Sequence, residues 1–207
     1  GKINTELVKT QEYAKTNPQV DAFINEINEG YTELGNRKIA QSSVNLITHD
    51  ENNNRIIRNS QTNLGNLCAD ALRTMMSTDV SYVNGGGIRA PIKAGDVKFN
   101  DIFAVFPFNN QVVTAKVSGQ TLKDMLEMAV MSYPNEDGSF PHVSGIKFSI
   151  NKAIPTSVKT DKDGFFVEVD GEYRVYDIKI LDKQTGAYLP IQLDGYYTLA
   201  GFNYFLL

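Results

Sequence analysis

The chain has 207 residues, which is room for one large domain or for one domain with an appendage. Its 42% hydrophobic and 21% charged residues are typical of a globular protein with a sizeable core. A net charge of −4 disfavours a nucleic-acid polymer as partner, and no apolar run is long enough to insert into a membrane.

The cysteine and the histidines argue against two kinds of site. Cys68 is the single cysteine, so an intrachain disulfide is excluded. It shares a helical face with apolar residues, which predicts a buried thiol and not a nucleophile. His49 and His142 lie far apart, and neither stands in a metal-ligand spacing, so we predict no metal site in this chain.

The N-terminal part predicts a helix. Residues 1–17 are polar and indicate a linker or a frayed helix, and Asn17-Pro18 then supplies an N-cap and a first-turn proline. Gly35 ends the pattern. The apolar stripe predicts a helix packed on another surface. It consists of Val20, Phe23, Ile24, Ile27, Tyr31 and Leu34.

The next segments alternate between strand and helix patterns. Val44 and Leu46 mark a strand between Lys38 and Ile47. A helix follows that Thr62 or Asn63 can cap. Its apolar positions include Leu64, Cys68, Leu72 and Met75, and a short strand at 79–83 comes after it.

A glycine-rich stretch, Asn84-Gly85-Gly86-Gly87-Ile88-Arg89, follows that strand. Three consecutive glycines weaken a helix or a strand, so they favour a sharp turn or the close approach of another group. Bare amides beside a fixed arginine suit an anionic or multiply hydrogen-bonding ligand. The alternative is a tight turn with a surface arginine.

The remaining pattern predicts an α+β fold. We expect a turn at Lys93–Asp96, a short helix at Phe99–Phe106, a strand at Gln111–Val117 and an amphipathic helix from Ser118. A loop at Pro134–Pro141 precedes short, mostly antiparallel strands. These strands are predicted at Ile146–Ile150, Phe165–Val169, Tyr173–Leu181 and Tyr196–Asn203.

A few polar and aromatic residues outside the core pattern could bind a ligand. Arg58 and Arg89 could together hold a phosphate or carboxylate, or they could be solvated. Phe108 follows a proline and precedes two asparagines, so it could stack a planar ligand or be a core residue in a turn. Asn84 and Asn110 could read base or ribose edges, or simply occupy turns. No catalytic motif accompanies them, which indicates a binding surface without a reaction centre.

Four motifs in order carry a family resemblance: QTNLGNLCADALR, VNGGGIRAPIKAGDVKFNDIFAVFPFNNQVV, VSGQTLKDMLE and DGSFPHVSGIKFS. Over roughly residues 18–207 the chain resembles the C-terminal domain of the 5′-nucleotidase family. That family includes ecto-5′-nucleotidases, UDP-sugar hydrolases and bacterial 2′,3′-cyclic-nucleotide phosphodiesterases. The resemblance implies a linker segment and inter-domain helix over 1–35. A substrate-binding domain with a mixed sheet and packed helices would occupy 36–207.

The resemblance also implies a larger enzyme that removes phosphate from nucleotides such as AMP. Its N-terminal metallophosphoesterase domain would carry two divalent metals and the catalytic residues, so this chain is expected to bind substrate and to catalyse nothing. The alternatives are a cyclic-nucleotide, UDP-sugar or dinucleotide hydrolase, or a non-catalytic surface binding module. An extracellular or cell-surface location is implied, or a periplasmic one in a Gram-negative source.

Individual residues match the family's motifs. Arg58 and Arg89 match arginines that contact substrate, and Phe108 matches one of two aromatics that sandwich the base. The other matches lie beside the ligand or on a loop bordering its pocket: Asn84, Gly87, Asn110 and Gly138. The family's Gly-Gly-Asp-Gly-aromatic motif would follow a segment like Phe202–Leu207, and it is missing from this chain. The chain is therefore expected to hold half of the base sandwich.

Overall fold

The computed structural model describes residues 3, 5–7, 9 and 16–206. The linker or frayed helix expected over 1–17 falls largely outside these residues. Within the described residues, no helix is both long and apolar enough to cross a membrane.

The described residues form an α+β fold, as predicted. The helices are α1 (Pro18–Asn36), α2 (Asn63–Met76), α3 (Phe99–Val105), α4 (Gly119–Ala129) and α5 (Asn203–Leu206), and a short 3-10 helix spans Gly85–Gly87. The strands are β1 (Lys38–Ser42), β2 (Val80–Asn84), β3 (Gly95–Lys98), β4 (Val112–Ser118), β5 (Pro141–Ser144), β6 (Ile146–Ile150), β7 (Val158–Thr160), β8 (Phe166–Val169), β9 (Val175–Leu181), β10 (Tyr188–Pro190) and β11 (Tyr196–Phe202).

Side-chain caps set the starts of the three longest helices. The Asn17 side chain accepts hydrogen bonds from the first amides of α1, as predicted. Thr62, and not Asn63, caps α2 by accepting from the Gly65 amide at 3.0 Å. Ser118 caps α4 in the same way. Each cap satisfies an amide that has no partner inside its helix. Because the capping residue is a near neighbour in the chain, the starts of these helices could be predicted from the local sequence.

A four-stranded sheet with the order β4-β11-β2-β5 forms the centre of the fold. β11 runs parallel to β2 and antiparallel to β4, and β5 is antiparallel to β2. A second sheet has the order β10-β9-β6, and β1–β3 and β7–β8 form separate two-stranded ribbons.

β2 is buried on both faces. Val80 and Tyr82 pack in the apolar cluster that contains the inner side of α4, whereas Val83 packs in the cluster of α2. Because successive strand residues point to opposite faces, α2 and α4 cover opposite faces of the central sheet. The Ser81 hydroxyl donates to the Ala69 carbonyl of α2 at 2.6 Å, so this buried polar side chain is satisfied.

The apolar stripe of α1 is not covered by the described residues, contrary to the expectation that it is packed. Phe23 is 62% exposed and Tyr31 is 70% exposed. Gly35 is the buried residue of the helix, because it lies directly against Asn100 of α3. Contact with the domain is thus made at the C-terminal end of α1.

Other boundaries differ from the predicted ones. The strand predicted up to Ile47 ends at Ser42, because the Ser42 hydroxyl donates to the Val44 carbonyl and turns the chain. Leu46 instead forms an isolated bridge with Ile92. The predicted turn at 93–96 overlaps β3, where Gly95 takes a φ of +116°.

The strands β5, β7 and β10 were not predicted. Each is only 3 or 4 residues long, too short for a clear alternating pattern. β5 was assigned in part to the loop at 134–141, yet its Pro141 lies opposite Asn84 in the register with β2. Hydrogen bonding to a distant strand, not local sequence, places it in the sheet.

Candidate functional site

A cavity of about 490 Å³ lies at one edge of the central sheet. It is lined by Arg58, Asn84, Gly86, Gly87, Phe108, Asn110, Asp137, Gly138, Ser139 and Tyr204. All but one of the residues predicted to contact substrate belong to this lining. The exception is Arg89.

The sheet topology explains why these residues meet. Asn84 ends β2, and β11 runs parallel to β2, so Tyr204 in α5 follows at the same edge. β4 is antiparallel to β11, with Val112 opposite Phe202, so the segment carrying Phe108 enters the sheet from that edge as well. Residues far apart in the chain are therefore delivered to one place by strand pairing.

Hydrogen bonds join the glycine segment to the loop before β5. The Gly86 amide donates to the Gly138 carbonyl at 2.9 Å, and the Asn84 side-chain amide donates to the same oxygen at 3.0 Å. The Gly85 amide donates to the Phe140 carbonyl at 2.8 Å. The expectation of bare amides is thus wrong for Gly85 and Gly86, because their hydrogens hold the loop together.

The close approach of these backbones explains the glycines. A β-carbon at Gly86 would lie 2.9 Å from the Gly138 α-carbon, and one at Gly85 would lie 2.1 Å from the Ile57 carbonyl oxygen. Neither neighbour is a flexible side chain that could move aside. The glycines allow the main chains to approach closely. The cavity wall at this point is therefore made of the glycine segment after β2 together with the loop before β5.

Arg58 supplies a cation with little competing anionic contact. Its side chain is half-buried, and within residues 16–206 no hydrogen bond or ion pair is found for its guanidinium. Burial lowers the pKa of Arg58, the nearby cations Arg55 and Arg89 lower it further, and the carboxylates of Glu136 and Asp137 only partly oppose the shift. A partly desolvated cation beside other cations favours an anionic ligand.

Arg89 lies beside the cavity instead of on its lining. Its guanidinium carbon is 5.8 Å from the centre of the Phe108 ring, and its Nη1 donates to the Gly86 carbonyl at 3.2 Å. Phe108 is 52% exposed, so it is not the core residue of the alternative interpretation. Arg89 thus lies against an aromatic ring that is about half exposed.

Sequence reasoning missed Asp137, Ser139 and Tyr204 as lining residues, and it named Gly86 only as part of the glycine-rich stretch. Burial raises the pKa of Asp137, but hydrogen bonds from Ser132 and Ser139 and the charge of Arg58 outweigh it, and the pKa lies below its usual range. The loop at 134–141 was predicted, and its Asp137-Gly138-Ser139 turn signal could have drawn attention to the two residues beside Gly138. Nothing local marks Tyr204, whose position depends on the parallel pairing of β11 with β2.

The Cys68 thiol and the potential metal ligands are considered apart from the cavity. Cys68 is buried on α2, and burial raises the pKa of its thiol to about 12, so it behaves as a small apolar residue as predicted. The described residues contain no group of three or more His, Cys, Asp or Glu side chains able to hold a metal ion. The described residues therefore offer no donor set for the two divalent metals that the resemblance implies.

A family profile described as the 5′-nucleotidase, C-terminal domain matches residues 38–207. The chain therefore belongs to this family. The 5′-nucleotidase of Vibrio parahaemolyticus is 34% identical over 146 residues, which cover 70% of this chain. The trifunctional nucleotide phosphoesterase protein YfkN of Bacillus subtilis is 28% identical over 207 residues, or 98% of this chain.

The fold agrees with a solved relative. The crystal structure of a 5′-nucleotidase precursor from Thermus thermophilus matches with a TM-score of 0.71 and 25% identity over 91% of this chain. The chain spans 25% of the Vibrio relative, 13% of the Bacillus relative and 33% of the Thermus chain. Most of each of these proteins thus has no counterpart here.

Proposed function

We propose that this domain binds the nucleoside end of a nucleotide for a metal-dependent 5′-nucleotidase-type phosphohydrolase, for example one that converts AMP to adenosine and phosphate. The bond-breaking step belongs to a metallophosphoesterase domain of the same, longer protein, and the two divalent metals would be held there. The small share of each relative that this chain spans supports such a division of roles.

The observation that carries the proposal is the cavity that unites Arg58, the exposed ring of Phe108 and the amide of Asn110. Its volume of about 490 Å³ lies in the ordinary range of small-molecule sites. An exposed ring suits a nucleobase, a side-chain amide suits its polar edge, and a guanidinium suits a phosphate or a ribose hydroxyl. Asn84 has a structural role instead, because its side-chain NH₂ donates a hydrogen bond to the Gly138 carbonyl and so stabilises the cavity wall.

A wider substrate range is the second candidate. The name of the Bacillus relative, a trifunctional nucleotide phosphoesterase, favours it. Cyclic nucleotides, UDP-sugars and dinucleotides share a nucleoside end with AMP, so one cavity would serve them all. The resemblance also supports action outside the cell or at its surface, or in the periplasm of a Gram-negative source.

The test is binding of AMP and of adenosine to the 207-residue chain, measured by calorimetry or NMR titration. We expect Arg58→Gln to weaken AMP binding by about tenfold or more, since a hydrogen bond to a charged group is lost, and to weaken adenosine binding less. Arg37→Gln is the matched control, because Arg37 is an exposed arginine at the C-terminal end of α1. Absence of binding to the wild-type chain, or equal binding by both variants, would contradict the proposal.

A further inference from the structure

His142 is a fully buried titratable residue that the proposed nucleotide contacts do not use. It lies in β5, behind the cavity, and its Nε2 is 2.8 Å from the Ile57 carbonyl oxygen. A carbonyl oxygen only accepts, so Nε2 must carry the hydrogen.

The other ring nitrogen shows that the ring is neutral. Nδ1 has no hydrogen-bond partner among the described residues, and a β-carbon at Gly65 of α2 would lie 2.0 Å from it. Burial lowers the pKa of His142, although the bond to Ile57 opposes this shift. A neutral imidazole with its hydrogen on Nε2 is therefore the state that fits this site.

The accepting oxygen belongs to the peptide bond that joins Ile57 to Arg58. Gly85 also lies close to the Ile57 carbonyl oxygen, because a β-carbon at Gly85 would be only 2.1 Å from it. The Arg58 carbonyl in turn accepts from the Asp137 amide at 3.0 Å. The backbone on both sides of the Arg58 α-carbon is thus held by groups from the cavity wall.

We propose that His142 is a positioning residue for nucleotide binding: its Nε2–H fixes the Ile57–Arg58 peptide plane and thereby aims the Arg58 guanidinium into the cavity. This inference rests on the proposed function. Rotation of a peptide plane swings the next side chain, and a displacement of about 1 Å is enough to weaken a polar contact in a binding site. His142 itself touches no ligand.

The test compares His142→Gln with His142→Asn in the 207-residue chain. The glutamine amide nitrogen can reach the place of Nε2 and donate to Ile57, whereas the asparagine amide is one methylene too short. We expect His142→Gln to bind AMP within about threefold of wild type and His142→Asn to lose about tenfold, with a smaller loss for adenosine. Melting temperatures of both variants are recorded alongside.

Rescue by glutamine and the difference between AMP and adenosine separate positioning from a general loss of stability. Equal AMP affinity for a folded His142→Asn and the wild type would overturn the inference. If His142→Asn fails to fold, His142→Gln decides: loss of AMP binding by that variant while it remains folded would overturn it as well.

A second readout does not depend on ligand. Hydrogen exchange of the Asp137 amide should be faster in His142→Asn than in His142→Gln, because its acceptor Arg58 is no longer held. If the wild type binds neither ligand, the proposed function fails, and equal exchange rates would then reject the role of His142 separately.

Discussion

Asp137 is the acidic residue that builds the edge of the cavity. Its Oδ1 accepts from the Ser139 amide at 2.8 Å and from the Ser139 hydroxyl at 2.7 Å. Its Oδ2 accepts from the Ser132 hydroxyl at 2.5 Å. These hydrogen bonds favour the ionised form of Asp137. They also fix the loop in which the Gly138 carbonyl accepts a hydrogen bond from the Gly86 amide.

We predict that this carboxylate gives the chain a pH-dependent stability. The pKa of Asp137 is lowered in the folded state, so its stabilising contribution is fully present above the unfolded value of 3.8 and is lost as pH falls through the folded value. Asp137→Asn should cost about 1–3 kcal/mol at neutral pH, from unfolding in urea, and this difference from wild type should shrink below pH ~4.

The matched control is Asp163→Asn, since Asp163 is an exposed carboxylate in the β7–β8 ribbon. It should stay within about 0.5 kcal/mol of wild type. A difference between wild type and Asp137→Asn that stays constant from pH 7 to pH 3 would show that the carboxylate charge has no part in holding the loop.

At the scale of elements, two buried charged side chains join α4 to the start of β9 through hydrogen bonds to the main chain. Glu127 of α4 accepts from the amides of Arg174 and Val175 at 3.0 and 2.8 Å. The Arg174 guanidinium donates to the carbonyls of Val130 and Met131 at 2.9 and 3.0 Å and to that of Tyr133. Arg174 therefore holds the turn that follows α4 by donating to its main-chain carbonyls.

Replacing Arg174 with methionine should destabilise the chain by about 3–5 kcal/mol, because the carbonyls that follow α4 lose their guanidinium donor while the packing volume is retained and Glu127 keeps its two backbone amide donors. Thermal or urea unfolding measures this. Arg37→Met, an exposed arginine, should change the free energy of unfolding by less than about 0.5 kcal/mol. A decrease of less than about 1 kcal/mol in the free energy of unfolding of Arg174→Met would mean that water replaces the guanidinium hydrogen bonds at little cost.

The sequence of α1 predicted its start and its apolar side correctly, but not its packing. Its period was readable from Val20 to Leu34, and its N-cap at Asn17 was correct. The same stripe that predicted burial is exposed among the described residues, since Ile24 and Ile27 are 48% and 46% exposed. Amphipathic spacing determines which side of a helix is apolar, but not which surface covers it.

At the scale of the whole molecule, we predict that the 207-residue chain releases no phosphate from AMP with added Mn²⁺ or Zn²⁺. The physical reason is the donor set: no described cluster of His, Cys, Asp or Glu can hold such an ion. Phosphate release is compared with a protein-free sample and with a full-length member of the family as positive control. Metal-dependent turnover by this chain would overturn the proposed division of roles.

The residues of the cavity were only partly predictable. Arg58, Phe108 and Asn110 were singled out by sequence and resemblance, and the fold brings them together. Arg89 is not among the lining residues and lies against Phe108, and its contact with substrate stays a prediction. Tyr204 was not expected at all, because its place follows from the pairing of β11 with β2, which leaves no local pattern.

The sequence by itself determined what depends on near neighbours: the cap at Asn17, the helix starts near Thr62 and Ser118, the α+β pattern, and the site of the glycine segment. These features follow from hydrogen bonds and side-chain periods that span a few residues. Only the tertiary structure decided that Gly85 and Gly86 use their amides internally and that His142 supports the Arg58 backbone. Those contacts join segments that strand pairing brings together across long stretches of chain.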